Sequence, residues 1–237
     1  MPSALLTDLY ELNMAASYLR RGMDQEATFS LFVRRLPPGR GFLVAAGLEP
    51  CLGFLEGFRF EEDELTYLGG RLGFSDDTLR AFRDRRFEGD VWAVPEGRIV
   101  LANEPLLEIT APIAVAQLVE TYLLNVITFQ TTIASKAARC RIAADGRDLV
   151  DFAFRRTQGV DAAMAVARSS SSSSASVVPG RTRSSRSAPR AASASMRRAA
   201  PRPSYSRRAS ISVVNSGLGT PSFRTASEPS GRAAAAT

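Results

Sequence analysis

A chain of 237 residues has room for one large domain or two small ones, and its formal charge of +6 divides unevenly. Residues 169–237 hold eleven Arg and a single acid, Glu228, a charge of +10, which leaves −4 for residues 1–168. Two separated cysteines, Cys51 and Cys140, argue against a disulfide framework or zinc site, and the absence of histidine removes the commonest general acid/base from any chemistry the chain runs alone.

No charged stub with an apolar run opens the chain, and no uninterrupted apolar stretch reaches the length of a membrane span, so a cytoplasmic protein without a membrane partner is expected. Asp8 with Glu11 gives a capping-box-like start to a first helix, which Leu9, Leu12, Ala16 and Leu19 continue until Arg20, Arg21 and Gly22 stop it. In ATFSLFVRRLP, Phe29, Leu31 and Val33 alternate with Thr28, Ser30 and Arg34, the period-2 pattern of a strand. Pro37, Pro38, Gly39 and Gly41 close it.

Leu48, Cys51, Leu52 and Leu55 mark a second helix stripe, and FEEDELTYLGG and FSDDTLRAFRDRRF predict two short helices with Glu61 or Glu62 and Ser75 near their starts. DVWAVPEGRIVLANEPLLEITAP predicts two antiparallel strands joined at Pro95-Glu96-Gly97, the second broken by Pro105. Pro112 suits the first turn of a helix, and the apolar run from Ile113 to about Ala138 predicts a long buried one. ADGR then turns the chain into a buried strand over residues 149–154, the helix, turn, strand order of α/β architectures. From Ser169 the composition collapses to Ser, Ala, Arg and Pro, too poor in apolar residues to offset the entropy of ordering, and predicts disorder.

Arg155 and Arg156 follow that strand, where α/β barrels meet their ligands, and a guanidinium matches a carboxylate or phosphate. An arginine pair turned to solvent, or bridging Asp151 or Asp161, fits the same spacing. Tyr10 reads equally as a half-buried helix aromatic, Phe152 as a core residue and Lys136, the one lysine, as a cation favoured near a helix C-terminus. Arg34, Arg35 and Arg40 make a basic patch around PPGRG that suits a phosphate or a solvated loop. No P-loop, dinucleotide fingerprint or nucleophile elbow is present.

Five blocks, LLTDLYELNMAASYLRRG, ATFSLFVRRLPPGRGFLVAAGLE, FEGDVWAVPEGRIVLANEPLLEI, QLVETYLLNVITFQTTIASKAAR and VDFAFRRTQGVDAA, resemble nicotinate phosphoribosyltransferase in order and spacing over residues 5–168. The resemblance implies an α/β chain: an α+β amino-terminal domain (residues 1–140), the first strand and helix start of an irregular type II phosphoribosyltransferase barrel (141–168), and a low-complexity tail (169–237). It also implies an enzyme of NAD salvage that joins nicotinate to phosphoribosyl pyrophosphate, with Mg²⁺ and coupled ATP hydrolysis, as a homodimer sharing its active sites. Tyr10 and Phe152 would stack on the pyridine ring, Arg155 would meet the carboxylate or a phosphate with Arg156 in support, and Arg34 and Lys136 would contact phosphate. The histidine that the family phosphorylates has no counterpart, so no catalytic residue and no metal ligand is assigned. A frameshift in a GC-rich gene accounts for the tail composition, and an inactive truncated copy is the expectation. Two other readings are a non-catalytic dimerisation partner and a nucleic-acid binder acting through the basic tail.

Overall fold

The structure is a computed structural model and describes residues 2–172 and 208–213. Helix α1 (Leu9–Arg20) leads into strand β1 (Glu26–Val33), followed by β2 (Leu43–Val44), helices α2 (Leu48–Gly57), α3 (Glu62–Leu72) and α4 (Asp76–Arg83), and strands β3 (Asp90–Ala93), β4 (Ile99–Val100) and β5 (Pro105–Pro112). The long helix α5 (Ile113–Ala144) and helix α6 (Val160–Ser172) follow, and β6 (Arg208–Val213) completes the elements. The main sheet runs β3-β5-β1-β6, and β2 pairs with β4 in a small second sheet.

Strands β1 and β5 form the antiparallel heart of the fold, in register from Glu26 opposite Pro112 to Leu31 opposite Leu107. The period-2 pattern places Phe29 and Leu31 in the core, as expected, but Ser30 between them is buried too. Its hydroxyl donates to Glu108 Oε1 directly across the ladder at 2.5 Å, and Thr28 meets Thr110 at 2.8 Å, so the polar face is satisfied by cross-strand partners. Pro105 does not break a strand; it opens β5, where a missing N–H costs no ladder bond.

The predicted hairpin through Pro95-Glu96-Gly97 does not form. β3 pairs with β5, and β4 crosses to β2. The eight-residue β5 offers β3 a four-residue register, which the two-residue β4 cannot match. Gly89, just before β3, is held to glycine by space: a Cβ there would lie 2.2 Å from the Thr110 carbonyl oxygen.

Helix α5 packs against α1, β1 and β5 and buries Val115, Leu118 and Val119, all essentially without exposed surface. It meets the length and hydropathy of a membrane span, yet half of its most apolar window is buried inside the fold. It runs to Ala144, two turns past its expected end. Phe54 stacks on Tyr122 of α5 at 3.9 Å between ring centroids, and Phe60 stacks on Phe82 of α4 at 4.9 Å, with Phe58 edge-on to both Phe54 and Phe60. The α2 stripe is turned from the expected one, with Phe54 buried and Leu52 exposed.

Short β2 is fastened to α5 by side chains. Ser135 Oγ, fully buried, accepts from the Val44 N–H at 2.8 Å and donates to the Thr131 carbonyl, while the Thr131 hydroxyl bonds both the N–H and the carbonyl of Ala46. These bonds satisfy backbone groups that a two-residue strand leaves open.

Residues 149–154 are not a strand. They are irregular and end in a single 3-10 turn, Phe154–Arg156, with Val150, Phe152 and Phe154 largely exposed. A β-prone run needs neighbouring strands to receive its ladder bonds, and among the described residues none lies beside it. No closed barrel is present among the described residues. The expectation of a structureless tail falls mostly outside them. Its described pieces are the last turn of α6 and β6, which pairs in parallel with β1 from Thr28 to Val33, on a segment whose Ser-Ile-Ser-Val alternation has a strand period.

Candidate substrate-binding site

The start of α1 does not cap as its sequence suggests: Asp8 occupies the N-cap with no side-chain bond to the helix. Glu11, the expected capping-box partner, instead points into the body of the protein and has no exposed surface. Three hydroxyls donate to its carboxylate, those of Thr7, of Tyr10 at 3.1 Å and of Thr121 on α5 at 2.9 Å. Burial pushes the Glu11 carboxyl above the usual carboxylate range, against the lowering effect of these three bonds. Next to Thr121 on α5, Glu120 is also buried and accepts from Gln117 Nε2 at 2.8 Å. Its carboxyl is pushed up to about 7, first by burial and then by the neighbouring Glu11 charge. The Tyr10 phenol is raised by burial and then by the Glu11 and Glu120 charges, so it stays a neutral donor.

Tyr10 itself is 42% exposed, so a flat ligand can reach its ring. Phe152 is 81% exposed, the opposite of the core residue its sequence context suggests. Arg155 and Arg156 lie in the 3-10 turn beside it, exposed, and neither forms an ion pair among the described residues. Asp151, an expected partner for them, accepts instead from the Ala153 N–H at 2.7 Å. Phe152, Arg155 and Arg156 therefore form one exposed group, and Tyr10 is not joined to it by any hydrogen bond or ring contact described within the chain.

Arg34 and Arg35 project from the end of β1 into solvent. Arg40 lies instead against a small cleft between the PPGRG loop and α5, lined also by Leu31, Val33, Ile127, Thr128 and Thr132. Lys136 is exposed on α5 one turn beyond Thr132. It stands eight residues before the helix ends at Ala144, so the field of the helix C-terminus does not account for it.

Sequence reasoning missed Arg168. From α6 its guanidinium reaches Glu49 Oε2 at 2.6 Å, Glu96 Oε1 at 3.0 Å and Gln130 at 2.9 Å. Glu96 also accepts the N–H groups of Gly47 and Leu48 at the start of α2, so one carboxylate ties the turn between β3 and β4 to α2 and α6. The pair Glu49 and Glu96, far apart in the chain, gave no local signal. Among the described residues no group of three or more His, Cys, Asp or Glu side chains could hold a metal ion.

The α/β unit leaves Tyr10 exposed on its first helix and Phe152, Arg155 and Arg156 exposed beyond its last long helix, and a ring with guanidinium groups beside it suits a flat anionic ligand. Comparison with known proteins narrows the class. Residues 5–128 match the nicotinate phosphoribosyltransferase (NAPRTase) N-terminal domain, and the chain belongs to that family. It is 53% identical over 167 residues to nicotinate phosphoribosyltransferase pncB2 of Mycobacterium tuberculosis, covering 70% of this chain and 36% of that protein. It is 42% identical over 166 residues to nicotinate phosphoribosyltransferase of Bacillus subtilis, covering 70% of this chain and 34% of that one. The crystal structure of human nicotinic acid phosphoribosyltransferase superposes with a TM-score of 0.65 at 35% identity, over 70% of this chain and 34% of the human chain. Nicotinate-nucleotide pyrophosphorylase from Pyrococcus furiosus shares the fold, with a TM-score of 0.55 at 23% identity. The chain spans about a third of the length of these curated relatives.

Proposed function

We propose that residues 1–168 are the part of a cytoplasmic nicotinate phosphoribosyltransferase that supplies the pyridine-binding side chains of NAD salvage. The reaction joins nicotinate to phosphoribosyl pyrophosphate with release of pyrophosphate, coupled to ATP hydrolysis and with Mg²⁺. The observation that carries this reading is the 53% identity to the mycobacterial nicotinate phosphoribosyltransferase over 70% of the chain.

The chemistry asks for a flat ring held in place, a cation for its carboxylate and donors for the leaving pyrophosphate. Phe152 provides one ring face and the Arg155 fork one partner for a carboxylate, with Arg156 adding charge beside it. Tyr10 provides the opposite ring face to the neighbouring subunit of a homodimer, in keeping with the lack of any described ring contact between it and Phe152 within one chain. Arg34 and Lys136 contact phosphate.

The chain by itself makes no nicotinate mononucleotide. Support comes from the absence of any histidine in 237 residues and from residues 149–154 remaining irregular instead of forming a barrel strand. Incubating the purified chain with nicotinate, phosphoribosyl pyrophosphate, ATP and Mg²⁺ tests this directly, and product above the blank overturns it. The match of residues 5–128 to the family's N-terminal domain, folded around a hydrophobic core, favours a second reading, a non-catalytic dimerisation partner. Mixing with a full-length relative and scoring heterodimers by native mass spectrometry decides for or against that role.

A further inference from the structure

We propose that Glu11 is the positioning residue for Tyr10, fixing the plane in which that ring is offered to the substrate. The inference rests on the reading of Tyr10 as a stacking face. Its physical basis is the placement of a carboxylate where packing alone would select a hydrocarbon. Glu11 has no exposed surface and no ion-pair partner among the described residues. A leucine or methionine of similar volume would fill the site without desolvating a charge.

What the carboxylate achieves is convergence. Thr7 precedes α1, Tyr10 lies in its first turn and Thr121 lies on α5, and all three donate to the same two oxygens. Adjacent side chains on a helix do not normally face each other, being about 100° apart around the axis. The Tyr10 hydroxyl therefore reaches Glu11 only if the ring leans around the helix toward its neighbour. Thr121 bonds Glu11 from a rigid, buried helix, which anchors the carboxylate to the core. The Tyr10 ring is tethered at its hydroxyl end and left open on its exposed side. The charged and titratable groups around the tether are Asp8, Tyr18 and Glu120; no cation shields them among the described ion pairs.

The test uses the chain as it exists, with ring-labelled tyrosine and NMR detection. Tyr10→Phe assigns the Tyr10 signal, and the Tyr67 signal on α3 serves as a control for global folding. Glu11→Leu should move the Tyr10 signal to the position of a free tyrosine while leaving Tyr67 in place. Glu11→Gln, which keeps an acceptor oxygen, should retain most of the wild-type shift, a rescue that a purely space-filling role would not produce. Titration with nicotinate then separates the two ideas. Nicotinate should perturb the Tyr10 signal in the wild-type chain and need about tenfold more ligand in Glu11→Leu, as expected for losing one charge-assisted bond. If the wild-type signal ignores nicotinate, the stacking role of Tyr10 fails while the tether stands on the Glu11→Leu shift. An unmoved Tyr10 signal in Glu11→Leu, or one that moves equally in Glu11→Gln, overturns the positioning role.

Discussion

Glu120 gives the sharpest prediction for the stability of the fold. Its carboxyl is buried beside Glu11, and the two effects together raise it from 4.5 to about 7. A carboxyl that holds its proton more tightly when folded makes the unfolded state the poorer proton binder between the two pKa values, so stability falls as pH rises through that window. The contribution is whole below about pH 4.5 and exhausted above about pH 8. Each tenfold gain in proton affinity is worth about 1.4 kcal/mol, so the rise corresponds to about 3 kcal/mol across the window. Glu120→Gln removes the titration but keeps a carbonyl oxygen for Gln117 Nε2, which now sits 2.8 Å from Oε2. Urea denaturation of both proteins from pH 4 to pH 8.5 should give equal stabilities at the acid end. The variant should then gain progressively, to about 3 kcal/mol, by pH 8. Parallel pH curves for wild type and variant would show that Glu120 does not carry the buried charge and would refute the reasoning.

Other expectations concern the frame that holds the site. Ser135→Ala strips the Val44 N–H of its acceptor and should cost about 1–3 kcal/mol, read by thermal unfolding. Gly89→Ala forces a methyl against the Thr110 carbonyl and should leave little folded protein by circular dichroism, whereas Gly70→Ala, with no atom near its missing Cβ, should be tolerated. Arg168→Ala unfastens α6 from Glu49, Glu96 and Gln130; since these groups are partly exposed, the loss should be about 1 kcal/mol, with faster proteolytic cutting near residue 160 as the clearer readout. Phe152→Ala should leave stability within about 0.5 kcal/mol, because a ring so exposed holds nothing together.

What the sequence revealed and what it hid follow from the range of the interactions. Helices α1, α3 and α4 were legible because their signals are local: an apolar period, a cap, a glycine stop. The Glu61 and Glu64 side chains do close a capping box on α3, and Ser75 caps α4. Strand pairing was not legible. Whether β3 joins β4 or β5 depends on competing registers well separated along the chain, which no local pattern encodes. The run at residues 149–154 carries every mark of a buried strand, yet strand propensity expresses itself only beside a neighbouring strand, and none is present among the described residues. Tyr10, Phe152 and the arginine pair were singled out through resemblance; their own spacing was equally that of structural residues. Glu11 was read as a cap, since its buried role appears only when Thr121, 110 residues later, is brought to it.

The central claim is that Tyr10, Phe152 and Arg155 grip nicotinate. A chimera of residues 1–168 joined to the remaining length of the mycobacterial relative, assayed for nicotinate mononucleotide, tests it most directly. It should be active, and alanine at each of the three positions should raise KM for nicotinate by at least about tenfold with folding unchanged. An active chimera whose KM for nicotinate is the same with all three side chains cut back would contradict the claim.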